Sequence, residues 1–222
     1  MSLKFDSSKK LRKDKTKHKV ESWEEYEQRE QEFLRERYLS KEPTISTFVR
    51  ITAGQAKNFK IEIPRNTRPL TDRMKVRIFD VLGSDIANKS VLDLYAGAGS
   101  FALEALSRGA KEATLVDASK QGNIIIQRNV AHTGFLPQAD VIKSKVEDFI
   151  QKYKESDKTW DIIFMDPPYK LYNTKRIEKM ERIINDASSL LPGVKNPKTK
   201  KFKGAFIIKH PKRYPIDKLN LK

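Results

Sequence analysis

The sequence contains no cysteine, which excludes disulfides and thiolate metal sites. Histidine is nearly as scarce. His18, His132 and His210 stand far apart without ligand spacing, so no metal site is expected and each reads as a surface residue. No apolar run approaches the ~18 residues of a membrane-spanning helix, and the opening Met1-Ser2-Leu3-Lys4 has no apolar signal core. These absences lead us to expect a cytoplasmic location and no membrane partner. Acidic residues are outnumbered, 29 against 45 Lys and Arg, which leaves a net charge of +16. Such an excess points to a polyanionic partner. Nucleic acid outranks a membrane surface because no basic amphipathic helix with a broad apolar face is evident.

The charge is uneven. Residues 1–20 hold eight Lys and Arg against Asp6 and Asp14, residues 21–42 hold four against eight acids, and residues 193–222 hold ten against Asp217. At 222 residues with 38% apolar content, the chain suits one core domain plus an appendage. We expect a basic arm and charged helix over 1–47 and the core domain over 48–222. Ser22 and Glu25 form a capping box for a helix from Trp23 to Leu39, whose aromatic stripe would dock on its own core or on a partner.

From Phe48 the pattern changes to period two. Phe48–Ala53 and Phe59–Ile63, turning at Gly54 and closed by Pro64, predict a hairpin. A helix follows Arg68-Pro69-Leu70-Thr71-Asp72-Arg73 and ends at Gly83. Beyond it, strands at Ser90–Leu94, Ala113–Val116, Asp140–Lys143, Trp160–Met165 and Ala205–Lys209 alternate with helices at Ser100–Arg108, Lys120–Thr133, Val146–Tyr153 and Thr174–Leu190. That alternation predicts an α/β fold with a mostly parallel sheet and helices on both faces. Ligands of such sheets bind beyond the carboxyl ends of the strands, where Asp93, Asp117 and Asp166 fall.

Two segments carry chemistry. The run Trp160–Met165 ends in Asp166-Pro167-Pro168-Tyr169, a carboxylate, carbonyls without competing N–H groups, and an aromatic face. An exocyclic amine on a base is a poor nucleophile because its lone pair is delocalised into the ring. Asp166 and the Pro167 carbonyl can each accept one of its hydrogens and localise that pair, while Tyr169 stacks on the extruded base. The bland alternative is a strand-ending turn. The second segment, Asp93-Leu94-Tyr95-Ala96-Gly97-Ala98-Gly99, turns a strand into a helix, and Asp117 lies twenty residues beyond Gly97, suited to ribose hydroxyls. Gly97-Ala98-Gly99-Ser100-Phe101-Ala102 also satisfies the GxGxxA dinucleotide pattern, so NAD stays open at this motif. Asp93, placed to meet the cationic end of S-adenosylmethionine, the base clamp and the basic charge all favour a methyltransferase.

With these segments in place, the chain resembles the bacterial small-subunit (16S) ribosomal RNA guanine-N2 methyltransferases from about Phe48 to Pro211. The likeness rests on four pieces in order: Arg50-Ile51 with Gly54; Arg68-Pro69 with Thr71-Asp72-Arg73; Asp93 to Gly99 running into Leu103–Ala110; and Asp166 to Tyr169. It implies a Rossmann-like S-adenosylmethionine-dependent methyltransferase fold and methylation of a guanine N2 amino group on small-subunit ribosomal RNA or an assembly particle, by a monomer. By resemblance Asp166, Pro167, Pro168 and Tyr169 are catalytic, and Asp93, Tyr95, Gly97, Gly99, Asp117, Val146, Thr71 and Asp72 form the cofactor site. Arg50, Lys57, Lys60, Arg68 and Arg73, with the lysines after Pro197, would grip RNA. The chain departs from the family at Val76, Lys145 and Lys209, where Glu, a polar or acidic residue, and Glu are usual, and it reaches Lys222 without the family's closing hairpin. Those departures keep open an adenine-N6 methyltransferase or a methyltransferase-like RNA-binding protein.

Overall fold

Five short apolar runs, β3 (Ser90–Leu94), β4 (Glu112–Asp117), β5 (Ala139–Lys143), β6 (Ile162–Met165) and β7 (Ala205–Ile208), pair in parallel in the order β5-β4-β3-β6-β7. They belong to a computed structural model that describes residues 43, 45–65, 67–172, 176–192 and 204–211. The basic arm, the capping box at Ser22, the helix from Trp23 to Leu39 and the lysines after Pro197 lie outside the described residues. Among the described residues no helix is long and apolar enough to cross a membrane.

The strands are apolar on both sides because both sides are covered. Alternate residues go to opposite faces. Val91, Leu115, Ile162 and Phe164 join a core with α1 (Asp72–Leu82), α2 (Ser100–Ser107) and α3 (Lys120–His132). Leu92, Val116, Ile163 and Met165 join the other, with α4 (Val146–Lys154) and α5 (Ile177–Ser188). The chain proceeds from β3 outward through β4 to β5, then returns to the other side of β3 for β6 and β7. That reversal leaves a crevice beyond the carboxyl ends of β3 and β6. Beneath it, the Phe101 ring stacks on Phe164 at 4.1 Å and on Phe79 at 5.2 Å, tying α2 and α1 to the strand that ends in Asp166.

Element ends differ from expectation where side chains replace ladder bonds. β6 starts at Ile162 rather than Trp160, because the Asp161 carboxylate accepts the Ser90 N–H at 2.9 Å and the Ser90 hydroxyl at 3.0 Å. The hairpin strands β1 (Ile45–Arg50) and β2 (Lys60–Pro64) pair antiparallel, and β1 begins earlier than Phe48, where the Ser46 hydroxyl donates to the Ile63 carbonyl at 3.2 Å. β1 stops before Ala53 because the Glu104 carboxylate takes the Thr52 and Ala53 N–H groups at 2.9 and 3.2 Å. Gly54 then passes so close to α2 that a Cβ would sit 1.8 Å from the Ser107 carbonyl oxygen, which admits only glycine.

Glu104 and Lys75 are both fully buried. Lys75 donates to the Arg50 carbonyl and pairs with Asp72 at 3.1 Å and Glu104 at 3.8 Å. Glu104 also accepts from the Thr52 hydroxyl at 2.6 Å and Arg108 Nε at 2.9 Å. One carboxylate thus joins the hairpin, α1 and α2. Glu104→Ala removes one of the two carboxylates beside the buried Lys75 and the acceptor of two backbone N–H groups, and should lower stability by about 3–5 kcal/mol in equilibrium urea unfolding. A loss below about 1 kcal/mol would show that the cluster does not hold the hairpin.

Candidate active site

Beyond β3 the chain turns sharply. Tyr95, Gly97 and Gly99 all have positive φ, at 61°, 61° and 75°. Tyr95 bears conformational strain there that glycine avoids. The turn is closed by Ala96 N–H donating to the Val116 carbonyl at 3.0 Å and Gly99 N–H donating to the Ala96 carbonyl at 2.7 Å. Asp117, at the end of β4, accepts the Gly97 N–H at 2.9 Å through Oδ2 and the Ser119 N–H at 2.7 Å through Oδ1. The carboxylate is therefore locked in orientation, with acceptor capacity left over. Close by, the buried Asn123 donates to the Asp117 and Ser119 carbonyls at 2.8 Å each, while its Oδ1 has no partner.

Asp93 lies under this turn, 1% exposed, and accepts the Ala102 N–H of α2 at 3.2 Å. Burial pushes its carboxyl up to about 8, the Ala102 amide pulls the other way, and the charges of Asp166 and Asp117 add to the rise. Asp166 follows β6. Burial raises it above the ordinary carboxylate range, opposed by Lys209, whose Nζ lies 2.5 Å from Asp166 Oδ2. Pro167 is buried, while Pro168 continues extended at φ −55° and ψ 132°. Tyr169 opens a 3₁₀ turn to Leu171 and is 44% exposed, and Arg68 lies over its ring at 5.4 Å.

One cavity of about 630 Å³ is lined by both the glycine turn and the Asp-Pro-Pro-Tyr tip. Asp93, Tyr95, Gly97 and Asp117 line it together with Arg68 and Asp166 to Tyr169. Gly99 sits just behind the wall, where an added Cβ would come within 2.8 Å of Leu115 Cδ2. Other expected site residues sit elsewhere. Val146, in the first turn of α4, has its side chain 2% exposed within the core on the far face of the sheet. Thr71 and Asp72 stand at the start of α1. The Thr71 hydroxyl caps α1 by accepting the Met74 N–H at 3.3 Å, and Asp72 is taken up by Arg50 at 3.0 Å and Lys75. Neither lines the cavity. Lys57, Lys60 and Arg73 are exposed, and Arg50 is exposed though paired with Asp72.

The sequence reading missed Lys209 as a partner of Asp166, treating it only as a departure. It also missed Thr67, Ser119 and Lys170 in the cavity wall. The register Met165↔Ile208 brings Lys209 level with Asp166, a relation readable only once β7 is known to lie beside β6.

The cavity can hold a nucleoside-bearing cation. Asp117 offers acceptors beside the turn, and Asp93 and Asp166 add two further carboxylates to the same lining. A pyrophosphate fits poorly: it meets three carboxylates, and the helix N-terminal amide of Ala102 is already satisfied by Asp93.

Ribosomal RNA small subunit methyltransferase D of Buchnera aphidicola subsp. Acyrthosiphon pisum (strain APS) is 31% identical over 121 residues, 54% of this chain and 62% of that one. The chain thus spans less than two thirds of that relative's length. A hypothetical protein of Thermus thermophilus superposes with a TM-score of 0.59 at 26% identity, over 74% of this chain and 86% of that one. The SAM-dependent methyltransferase from Agrobacterium tumefaciens does so with a TM-score of 0.50 at 20% identity, over 60% of this chain and 46% of that one, and shows the shared Rossmann-like methyltransferase fold alone. The model of the family described as Conserved hypothetical protein 95 matches residues 49–204, a span that contains every cavity residue named above except Lys209. The chain belongs to that family.

Proposed function

We infer that the chain is an S-adenosylmethionine-dependent methyltransferase acting on the exocyclic N2 amino group of a guanine in small-subunit ribosomal RNA. The observation that carries this reading is the shared cavity, lined by both the glycine turn and the Asp166–Tyr169 tip. The name of the Buchnera relative supports the ribosomal RNA substrate, and the net charge of +16 suits a polyanion. S-adenosylmethionine would supply an electrophilic methyl group on a sulfonium. Asp117 would hold its nucleoside, and Asp93 would face its cationic end.

The chain's own groups act on the base. Asp166 accepts a hydrogen from the amino group, which localises the nitrogen lone pair and offsets the positive charge that grows there. The Pro167 carbonyl is free of a competing N–H on its own residue and can take the second hydrogen. Tyr169, exposed at the mouth and backed by Arg68, offers a stacking face to an extruded base. The proton leaves to solvent or through Asp166. Phosphate contacts from the exposed Lys57, Lys60 and Arg73 would add affinity without selecting a base.

Asp166→Ala should cut transfer of labelled methyl to small-subunit ribosomal RNA about 10²–10³-fold, the scale of a lost charge-stabilising group. Calorimetric donor affinity should change little. Turnover close to that of the unaltered protein would rule the mechanism out. A second outcome follows from Asp93, whose folded-state carboxyl titrates near 8 against 3.8 ordinarily. Its contribution to stability is full below 3.8 and is lost as pH rises through about 8, so the ligand-free chain should lose stability over that span. Ionised Asp93 attracts a cation, so the affinity ratio of S-adenosylmethionine to S-adenosylhomocysteine, which lacks the sulfonium charge, should rise between about pH 7 and 9. Asp93→Asn should flatten both trends; a ratio independent of pH in the unaltered protein would contradict the assignment.

A further inference from the structure

Lys209 follows the last residue of β7, and its backbone is held at both ends. Its N–H donates to the Met165 carbonyl at 2.9 Å, and the Tyr172 hydroxyl donates to its carbonyl at 3.2 Å. Its ammonium donates to Asp166 Oδ2 at 2.5 Å, with side-chain exposures of 15% and 19% for the two residues. Both line the cavity. A cation anchored this way changes what the base site can read.

An ammonium has three donors and no acceptor, whereas an ionised carboxylate only accepts. The ends of β6 and β7 therefore present an acceptor and a donor side by side, where Asp166 alone would only accept. The complementary edge of a base carries an amino group next to an unprotonated ring nitrogen. Two nitrogens on one trigonal carbon lie roughly 2.3 Å apart, given C–N bonds of about 1.33 Å. Lys209 Nζ and Asp166 Oδ2 are separated by 2.5 Å, a close match. The guanine N2 amino group has N3, unprotonated, on one side and N1–H on the other. Turning N1–H towards Lys209 sets donor against donor and leaves both unsatisfied in a shielded site.

We propose that Lys209 is a specificity-determining residue that makes the site read an amino group together with the unprotonated ring nitrogen beside it, which on guanine is the N2–N3 edge. This rests on the reading that Asp166 holds the amino group.

Protein loaded with S-adenosylhomocysteine can be titrated with guanosine and with 3-deazaguanosine, in which C–H replaces N3, and followed by NMR. Guanosine should bind about tenfold more tightly, the scale of one hydrogen bond from a charged donor. Lys209→Met should erase that preference, a change that a merely structural lysine would not produce. Equal binding of the two nucleosides by the unaltered protein, or a preference that survives Lys209→Met, overturns the role of Lys209. Undiminished guanosine binding in Asp166→Ala overturns instead the underlying assignment of Asp166. Failure of guanosine to bind at all overturns both.

Discussion

Parallel register is the constraint on which the rest depends. β3, β4, β6 and β7 finish level with one another, so the residues that leave them arrive at one rim: the Tyr95 turn, Asp117, Asp166 and Lys209. The reversal of strand order at β3 prevents a crossing helix from closing the space above that rim. Neither the glycine turn nor the Asp-Pro-Pro-Tyr tip makes the cavity alone. The sheet makes it by ending both at the same height.

Electrostatics then narrows what the cavity accepts. Asp93, Asp117 and Asp166 share one small space, and Asp93 is buried deeply enough to favour its neutral form. A cationic ligand relieves that cost, while a pyrophosphate would add to it. The same logic distinguishes a sulfonium donor from a dinucleotide, which the GxGxxA spacing at Gly97 could not do. Away from the cavity, buried charge has another task. Glu104 and Lys75 fasten the hairpin and α1 to α2, and α1 follows directly on the Thr67–Leu70 segment that forms part of the cavity wall.

What was legible in the sequence was local. Apolar runs, glycine punctuation and the two turn segments sit within a few residues of one another, and the alternation of strand and helix decides a parallel sheet without knowledge of contacts. What escaped depends on distance along the chain. The Lys209–Asp166 pair spans 43 residues and exists only because β7 pairs with β6. The side chain of Val146 goes to the core, as an apolar residue in a first helical turn does. The partners that hold Thr71 and Asp72, the Met74 amide and the buried Lys75, become visible only once α1 is folded. The early start of β1 and the late start of β6 came from side chains standing in for backbone partners.

The central claim is that a sulfonium donor sits over the glycine turn facing Asp166. Ultraviolet crosslinking of the full chain with S-adenosylmethionine labelled in its methyl group, followed by peptide mass mapping, tests that placement directly. The account predicts label confined to the peptides carrying Asp93–Gly99, Asp117–Ser119 and Asp166–Tyr169, competed away by S-adenosylhomocysteine and unaffected by NADH. Label on the outer faces of α4 or α5, or competition by NADH alone, would contradict it.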